Sequence, residues 1–180
     1  QALQRAPASA EASYYVGRAL AALGDRSAAR LALINAADLA PPSPWLERAD
    51  CRKAGENVKR DSHLLANHGL VLAGCVHDVQ LESYVLEVHE KHDLGSLAQR
   101  HCGWTTLSYE EVAGKGASKI PFSSVSVERA SAYAAEKADC ILALHERLYP
   151  QIERDEPLKR IYCEIEMPAL PVLFRIERNG

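Results

Sequence analysis

The five cysteines, Cys51, Cys75, Cys102, Cys140 and Cys163, are odd in number, widely spaced and form no C-x-x-C pair. A disulfide framework is thereby excluded, and reduced thiols in a reducing compartment are expected. Of the seven histidines, His89, His92 and His101, near Cys102, are the best candidates for a metal. They lack any standard zinc spacing and read as solvated or hydrogen-bonded side chains. Positive charge is not in excess either: 21 Lys and Arg face 24 Asp and Glu, a formal net charge of -3. Nothing global attracts nucleic acid, so any such binding needs a local basic groove. No apolar run reaches membrane-spanning length, and the first residues lack the basic, then apolar, then small pattern of a signal peptide. A cytoplasmic location and no membrane partner are expected. Gly114–Lys115–Gly116 lacks the phosphate-loop pattern, and Glu82–Ser83 lacks the glycines of a nucleophile elbow. P-loop nucleotide chemistry and serine hydrolysis of that type are set aside.

What is present suffices for a real core. The chain has 180 residues, 47% of them hydrophobic and 25% charged, which suits one domain of ordinary size or one with a small appendage. Residues 1–41 are alanine-rich and divide into two amphipathic helices at Gly24–Asp25. Gly17, Leu20, Gly24, Ala29, Leu33, Ala36 and Pro41 fall at the spacings of the tetratricopeptide repeat, so this segment resembles the tail of one repeat and all of a second. A tetratricopeptide array needs about three repeats for a continuous core, so a helical hairpin packed on the rest of the chain is the simpler expectation. Residues 42–54 read as a linker, opened by Pro41–Pro42–Ser43–Pro44, with helical character from Trp45 to Lys53.

Beyond Gly55 the chain alternates helices with one β-prone run. A helix through Ser62–Ala66 ends at Asn67–His68–Gly69, where glycine supplies the C-terminal signal. Leu70–Asp78 is the β-prone run, with Asp78 placed to cap the next helix, through Gln80–His92. A short helix is expected over Asp93–His101, and Ser131–Leu148, without Gly or Pro, reads as a long one. Its apolar positions are Ala134, Ala138, Ile141, Leu142 and Leu148, and Tyr133 and Lys137 project from one face. In the terminal helix Met167, Leu170, Leu173, Phe174 and Ile176 form the expected apolar side. Arg175, Glu177 and Arg178 form the solvated one.

Several stretches in this region stand in an order that is specific as a set: N-V-K-R-D at 57–61, L-L-A-N-H-G-L at 64–70 and H-D-V-Q-L-E-S-Y-V-L at 77–86. They continue with H-D-L-G-S-L-A at 92–98, Y-E-E-V-A-G-K-G at 109–116, Y-A-A-E-K-A-D at 133–139 and I-E-M-P-A-L-P-V-L-F-R-I-E-R-N-G at 165–180. On these motifs residues 55–180 resemble the bacterial family A DNA polymerases of the DNA polymerase I type. The resemblance implies that residues 55–150 form the second half of a 3′–5′ proofreading exonuclease domain. It implies that 151–180 form the first helical segment of a polymerase domain. The implied function lies in DNA replication and repair, with nucleic-acid binding, in a nucleotidyltransferase family. The expected fold is mostly α with a small β remnant, a partial ribonuclease H-like α/β domain preceded by the tetratricopeptide-like hairpin.

The resemblance also implies roles. Asp61 matches a metal-holding catalytic carboxylate and Tyr133 the tyrosine that orients the attacking water. Asn57, Tyr109 and Lys91 match contacts to the single-stranded 3′ end of DNA, with Tyr109 suited to stacking a base. The implied cofactors are Mg2+ or Mn2+ ions, two of which stabilise the attacking and leaving oxygens at phosphorus. The sequence departs from this pattern where the chemistry is most demanding. No D-x-E pair occurs before Asp61, and Lys137 stands where the family has a metal-binding aspartate. Asp139, roughly 200° further round the helix, cannot replace it. Arg60 and Glu56 replace the usual tyrosine and glutamine. The chain is therefore expected to be a truncated relative that binds no metal pair stably and has no exonuclease activity alone, and no polymerase centre is expected within these residues. The alternative is a helical protein-interaction module that meets a protein partner through the tetratricopeptide-like repeat.

Overall fold

The computed structural model describes residues 42–180, so the repeat-like segment 1–41 lies outside the described residues. The described chain falls into two compact units, one built on Leu107–Asp139 and the other on Ser43–Thr106 together with Cys140–Gly180. No described helix is long and apolar enough to cross a membrane.

The larger unit opens with helix α1 (Pro42–Glu47), which is shorter than the sequence pattern suggests. The chain leaves the helix before Lys53 because that side chain needs the carbonyl groups a continuing helix would consume. The Lys53 ammonium, buried, donates to the carbonyl oxygens of Arg48 (2.9 Å), Cys51 (2.8 Å) and Ala73 (2.7 Å). It also lies 4.7 Å from the Trp45 ring centroid, a cation–π distance. Lys53–Gly55 instead forms strand β1, which pairs in parallel with β2 (Cys75–Asp78). The β-prone run 70–78 forms a strand over its last four residues. Its partner comes from the segment read as helical linker. Gly74 makes the crossing possible: its φ is +70°, and a Cβ there would stand 2.4 Å from the Cys51 carbonyl oxygen.

Between the strands runs helix α2 (Val58–Asn67), and β2 leads directly into α3 (Val79–Leu86). One carboxylate serves both helix starts. Asp78, 1% exposed, accepts the backbone N–H of Val58 (2.8 Å) and Asn57 (3.2 Å) at α2, and of Gln80 (2.9 Å) at α3, with Leu81 at 3.4 Å. These are the N–H groups a helix start leaves without intrahelical partners. Burial raises the Asp78 carboxyl above its ordinary range, while the N–H bonds pull the other way. Helix α3 stops at Leu86 rather than continuing to His92. It is followed by α4 (Leu94–Leu97), capped by Asp93, and a π-helical turn (Ala98–Cys102) closed by left-handed Gly103.

The core of this unit gathers Val79, Leu94, Leu97 and Ala98 around Cys140, Leu144 and Leu148, with Leu86, Cys102, Trp104 and Ile141 at its margin. The last set comes from helix α6 (Val127–Arg154), whose buried residues are Cys140, Ala143, Leu144, Leu148 and Ile152. That stripe corrects the expected one. Of the expected positions Leu148 is buried and Ile141 lies at the core margin, but Ala134, Ala138 and Leu142 are exposed, because what fixes the buried face is the neighbour against which the helix packs, and not local apolarity.

After α7 (Glu156–Arg160) and a π-helical stretch (Ile161–Glu166), helix α8 (Met167–Asn179) packs on α2. Its inner face also differs from the expected one. Leu173 and Ile176 are exposed. Glu177 receives hydrogen bonds from Lys59 (2.5 Å) and pairs with His63 (2.8 Å), and Arg178 donates to Asn67 (2.6 Å). His63 stacks obliquely on Phe174 at 4.7 Å. Residues read as a solvated face thus face α2, whose polar surface gives them partners.

Candidate nucleic-acid interface and metal-ligand residues

In the smaller unit, helix α5 (Tyr109–Ala113) starts at a reciprocal capping box. Ser108 Oγ accepts the Glu111 N–H (3.2 Å), while the Glu111 carboxylate accepts the Ser108 N–H (2.7 Å). The latter bond holds the Glu111 carboxyl below its usual range. Val112, Ala113 and Val125 are buried, with Ala130 and Tyr133 against them. The chain then turns sharply at Gly114 (φ +81°), where a Cβ would lie 2.4 Å from the Ser118 carbonyl oxygen. The Ile120 N–H returns to the Ala113 carbonyl at 2.8 Å.

That return brings Phe122 between two tyrosines. Tyr109 and Phe122 are stacked with ring centroids 5.9 Å apart, and Phe122 and Tyr133 lie 6.1 Å apart. Lysines flank the row, Lys119 at 5.8 Å from the Tyr109 ring and Lys137 at 5.1 Å from the Tyr133 ring. Tyr109 and Phe122 are exposed, at 41% and 39%. Chemically this is a cationic, π-faced surface of the type that holds unpaired bases. The order of residues alone does not single out Phe122. Its place in the row depends on the Gly114 turn.

The other sequence-predicted residues sit in the larger unit. Asp61 lies in the first turn of α2, 3.5 Å from Arg60, with its side chain 44% exposed. Asn57 caps that helix from a left-handed conformation (φ 55°), a region asparagine tolerates, and its N–H points to Asp78. The Lys91 carbonyl accepts from the Arg100 guanidinium at 3.2–3.3 Å. His92 pairs with Ser83 (2.9 Å) and His101 with Glu87 (3.2 Å), so those histidines are hydrogen-bonded, as read from sequence.

Among the described residues, three or more possible ligands group in one place, and it is not at Asp61. His77, Glu82 and His145 bring donor atoms within 4.8 Å of one another. A two-ion magnesium centre asks for several carboxylate oxygens. Asp61 stands outside any such group, and the residue at the expected second aspartate, Lys137, turns an ammonium toward its tyrosine. The described residues do not fit that metal pair. The His77–Glu82–His145 group was not visible in the sequence, since its members are 5 and 63 positions apart and match no ligand spacing.

Comparison with known proteins bears on most of the chain. A family model described as 3′–5′ exonuclease matches residues 15–153. That span takes in most of the segment read as repeat-like. DNA polymerase I of Pseudomonas aeruginosa is 44% identical over 140 residues, covering 76% of this chain and 15% of that protein. DNA polymerase I of Rhizobium leguminosarum is 36% identical over 136 residues, covering 75% of this chain and 13% of that protein. The Bacillus subtilis enzyme is 29% identical over 138 residues, covering 76% of this chain and 15% of that protein. The chain spans about 15% of the length of the polymerases it matches. Family-wide, such exonucleases are divalent-metal dependent and act on nucleic acid. By the extent of the family match and the identity to these polymerases, the chain belongs to the 3′–5′ exonuclease family of DNA polymerase I.

Proposed function

We propose that this chain is a DNA-contacting exonuclease segment that holds single-stranded DNA through Tyr109, Phe122 and Tyr133 and does not itself carry out metal-dependent cleavage. The observation that carries the reading is the aromatic row with a lysine at each end. Stacked bases find π faces, and phosphates find ammonium groups, without sequence preference. Lys137 supports the second half: an ammonium beside Tyr133 repels a divalent ion and attracts a phosphate instead. Asp61, Asn57 and Lys91 keep the roles implied by the family, as metal-side carboxylate and strand contacts, without completing a reaction centre. In this reading 55–150 is a partial ribonuclease H-like domain and 151–180 the start of a polymerase domain, serving DNA replication and repair.

The test is anisotropy of a 5′-labelled single-stranded oligonucleotide beside a magnesium- or manganese-dependent degradation assay. Loss of one stacking face costs about 1–3 kcal/mol, or roughly 5- to 150-fold in affinity, so Tyr109→Ala and Phe122→Ala should weaken binding by that amount. Neither the parent nor Lys137→Asp should degrade the strand, because one restored carboxylate does not supply the missing pair. Cleavage by the parent that disappears in Asp61→Ala would overturn the proposal, as would binding indifferent to both aromatic substitutions.

A further inference from the structure

We propose that His77, Glu82 and His145 form a binding site for one transition-metal ion of the zinc class, separate from any family metal pair. The three side chains converge from the end of β2, the first turn of α3 and the second half of α6. Glu82 Oε1 lies 2.7 Å from His145 Nδ1 and 3.4 Å from His77 Nδ1. A tetrahedral ion with bonds of about 2.0–2.1 Å separates its donors by roughly 3.3 Å, so small side-chain rotations admit one. The two imidazole rings are 4.1 Å apart, already side by side.

A second observation points to a ligand. Glu82 is fully buried, and its Oε2 accepts no hydrogen bond. Buried carboxylate oxygens are nearly always satisfied, and an orphan on a carboxylate whose other oxygen meets two imidazoles is accounted for by a cation that the carboxylate would bind. The surroundings supply an outer shell. Tyr162, buried in the π-helical stretch, lies 3.3 Å from Glu82 Oε1, and its hydroxyl is fixed by the Asp78 N–H at 3.0 Å. Such bonds orient ligands and set affinity.

The donor set selects the ion. Two imidazole nitrogens and one carboxylate oxygen suit zinc, cobalt or nickel, whereas magnesium and calcium take oxygen ligands. Binding on His77 Nδ1 requires the ring proton on Nε2. That nitrogen now lies 3.4 Å from the exposed Arg52 guanidinium, which must move aside. Arg52 is thus an antagonist of the site.

The experiment uses the whole chain, freed of metal by chelation and titrated with Co2+ as a spectroscopic probe and Zn2+ in competition with a chromophoric chelator. One equivalent should bind, with the visible absorption of low-symmetry cobalt. Glu82→Gln and His145→Gln, which keep size and hydrogen bonding, should each weaken binding at least tenfold with an unchanged far-ultraviolet dichroism spectrum, and Arg52→Gln should tighten it. His89→Gln, away from the group, should bind like the parent. Zinc should also raise the melting temperature of the parent, of His89→Gln and of Arg52→Gln, and should do so less in the two ligand variants. Absence of a stoichiometric cobalt spectrum, or equal affinity in the parent and the two ligand variants, would overturn the proposal.

Discussion

Removing the Asp78 carboxylate should unfasten two helices at once. In Asp78→Ala the N–H groups of Val58, Asn57 and Gln80 lose acceptors at 2.8, 3.2 and 2.9 Å, all of them close to β2. A single N-cap is worth about 1 kcal/mol, and each buried N–H left without a partner costs about 1–3 kcal/mol. Water reaching part of the opened site reduces the sum, so about 2–4 kcal/mol is expected. With a urea slope of about 2 kcal/mol per molar, the unfolding midpoint should fall by roughly 1–2 M. Asp78→Asn keeps one acceptor oxygen but sets an amide N–H against the other helix start, so it should lose about half as much. The Asp78 N–H bond to the Tyr162 hydroxyl is main-chain and survives both changes, which confines the loss to the caps. The assay is urea unfolding followed by far-ultraviolet dichroism. A midpoint for Asp78→Ala within about 0.3 M of the parent would refute the double-cap account, since a loss near 0.5 kcal/mol is that of an ordinary surface substitution.

Three further outcomes are open to measurement. Lys53→Met should destabilise the larger unit by about 2–4 kcal/mol in thermal unfolding, because three carbonyl oxygens lose a charged donor in a buried setting. The Glu177 carboxyl is held below its usual value by the Lys59 and His63 hydrogen bonds. Its stabilising contribution is therefore present above the ordinary carboxyl value, about pH 4.5, and lost as pH falls through the folded-state value. Hydrogen exchange in α8 should rise over that acid window, and the rise should be absent in Glu177→Gln. The Cys75 thiol is pushed up to about 11 by burial and by the Asp78 charge. About one part in a thousand is then thiolate at pH 8. Mass-spectrometric footprinting with iodoacetamide should accordingly label exposed Cys163 well before Cys75.

Local events were legible from the order of residues alone. Asp78 was readable as a cap and Asn67–His68–Gly69 as the end of α2, because these depend on residues acting on backbone within a few positions. The family was legible too, since ordered motifs need no coordinates. Which face of each helix meets a neighbour was not. Ala134, Ala138 and Leu142 form as good an apolar stripe as Cys140, Leu144 and Leu148, yet only the latter finds Leu94 and Leu97. Glu177 and Arg178 read as solvated until α2 gives them partners. Strand β1 was hidden for the same reason: Lys53 and Ala54 are not strand formers by pattern, and the Lys53 ammonium, joined to a carbonyl 20 positions away, decides the chain's course. The grouping of His77 and Glu82 with His145, and of Phe122 with Tyr109 and Tyr133, belongs to the tertiary structure. Such convergence is set by packing between elements distant in sequence, where spacing carries no signal.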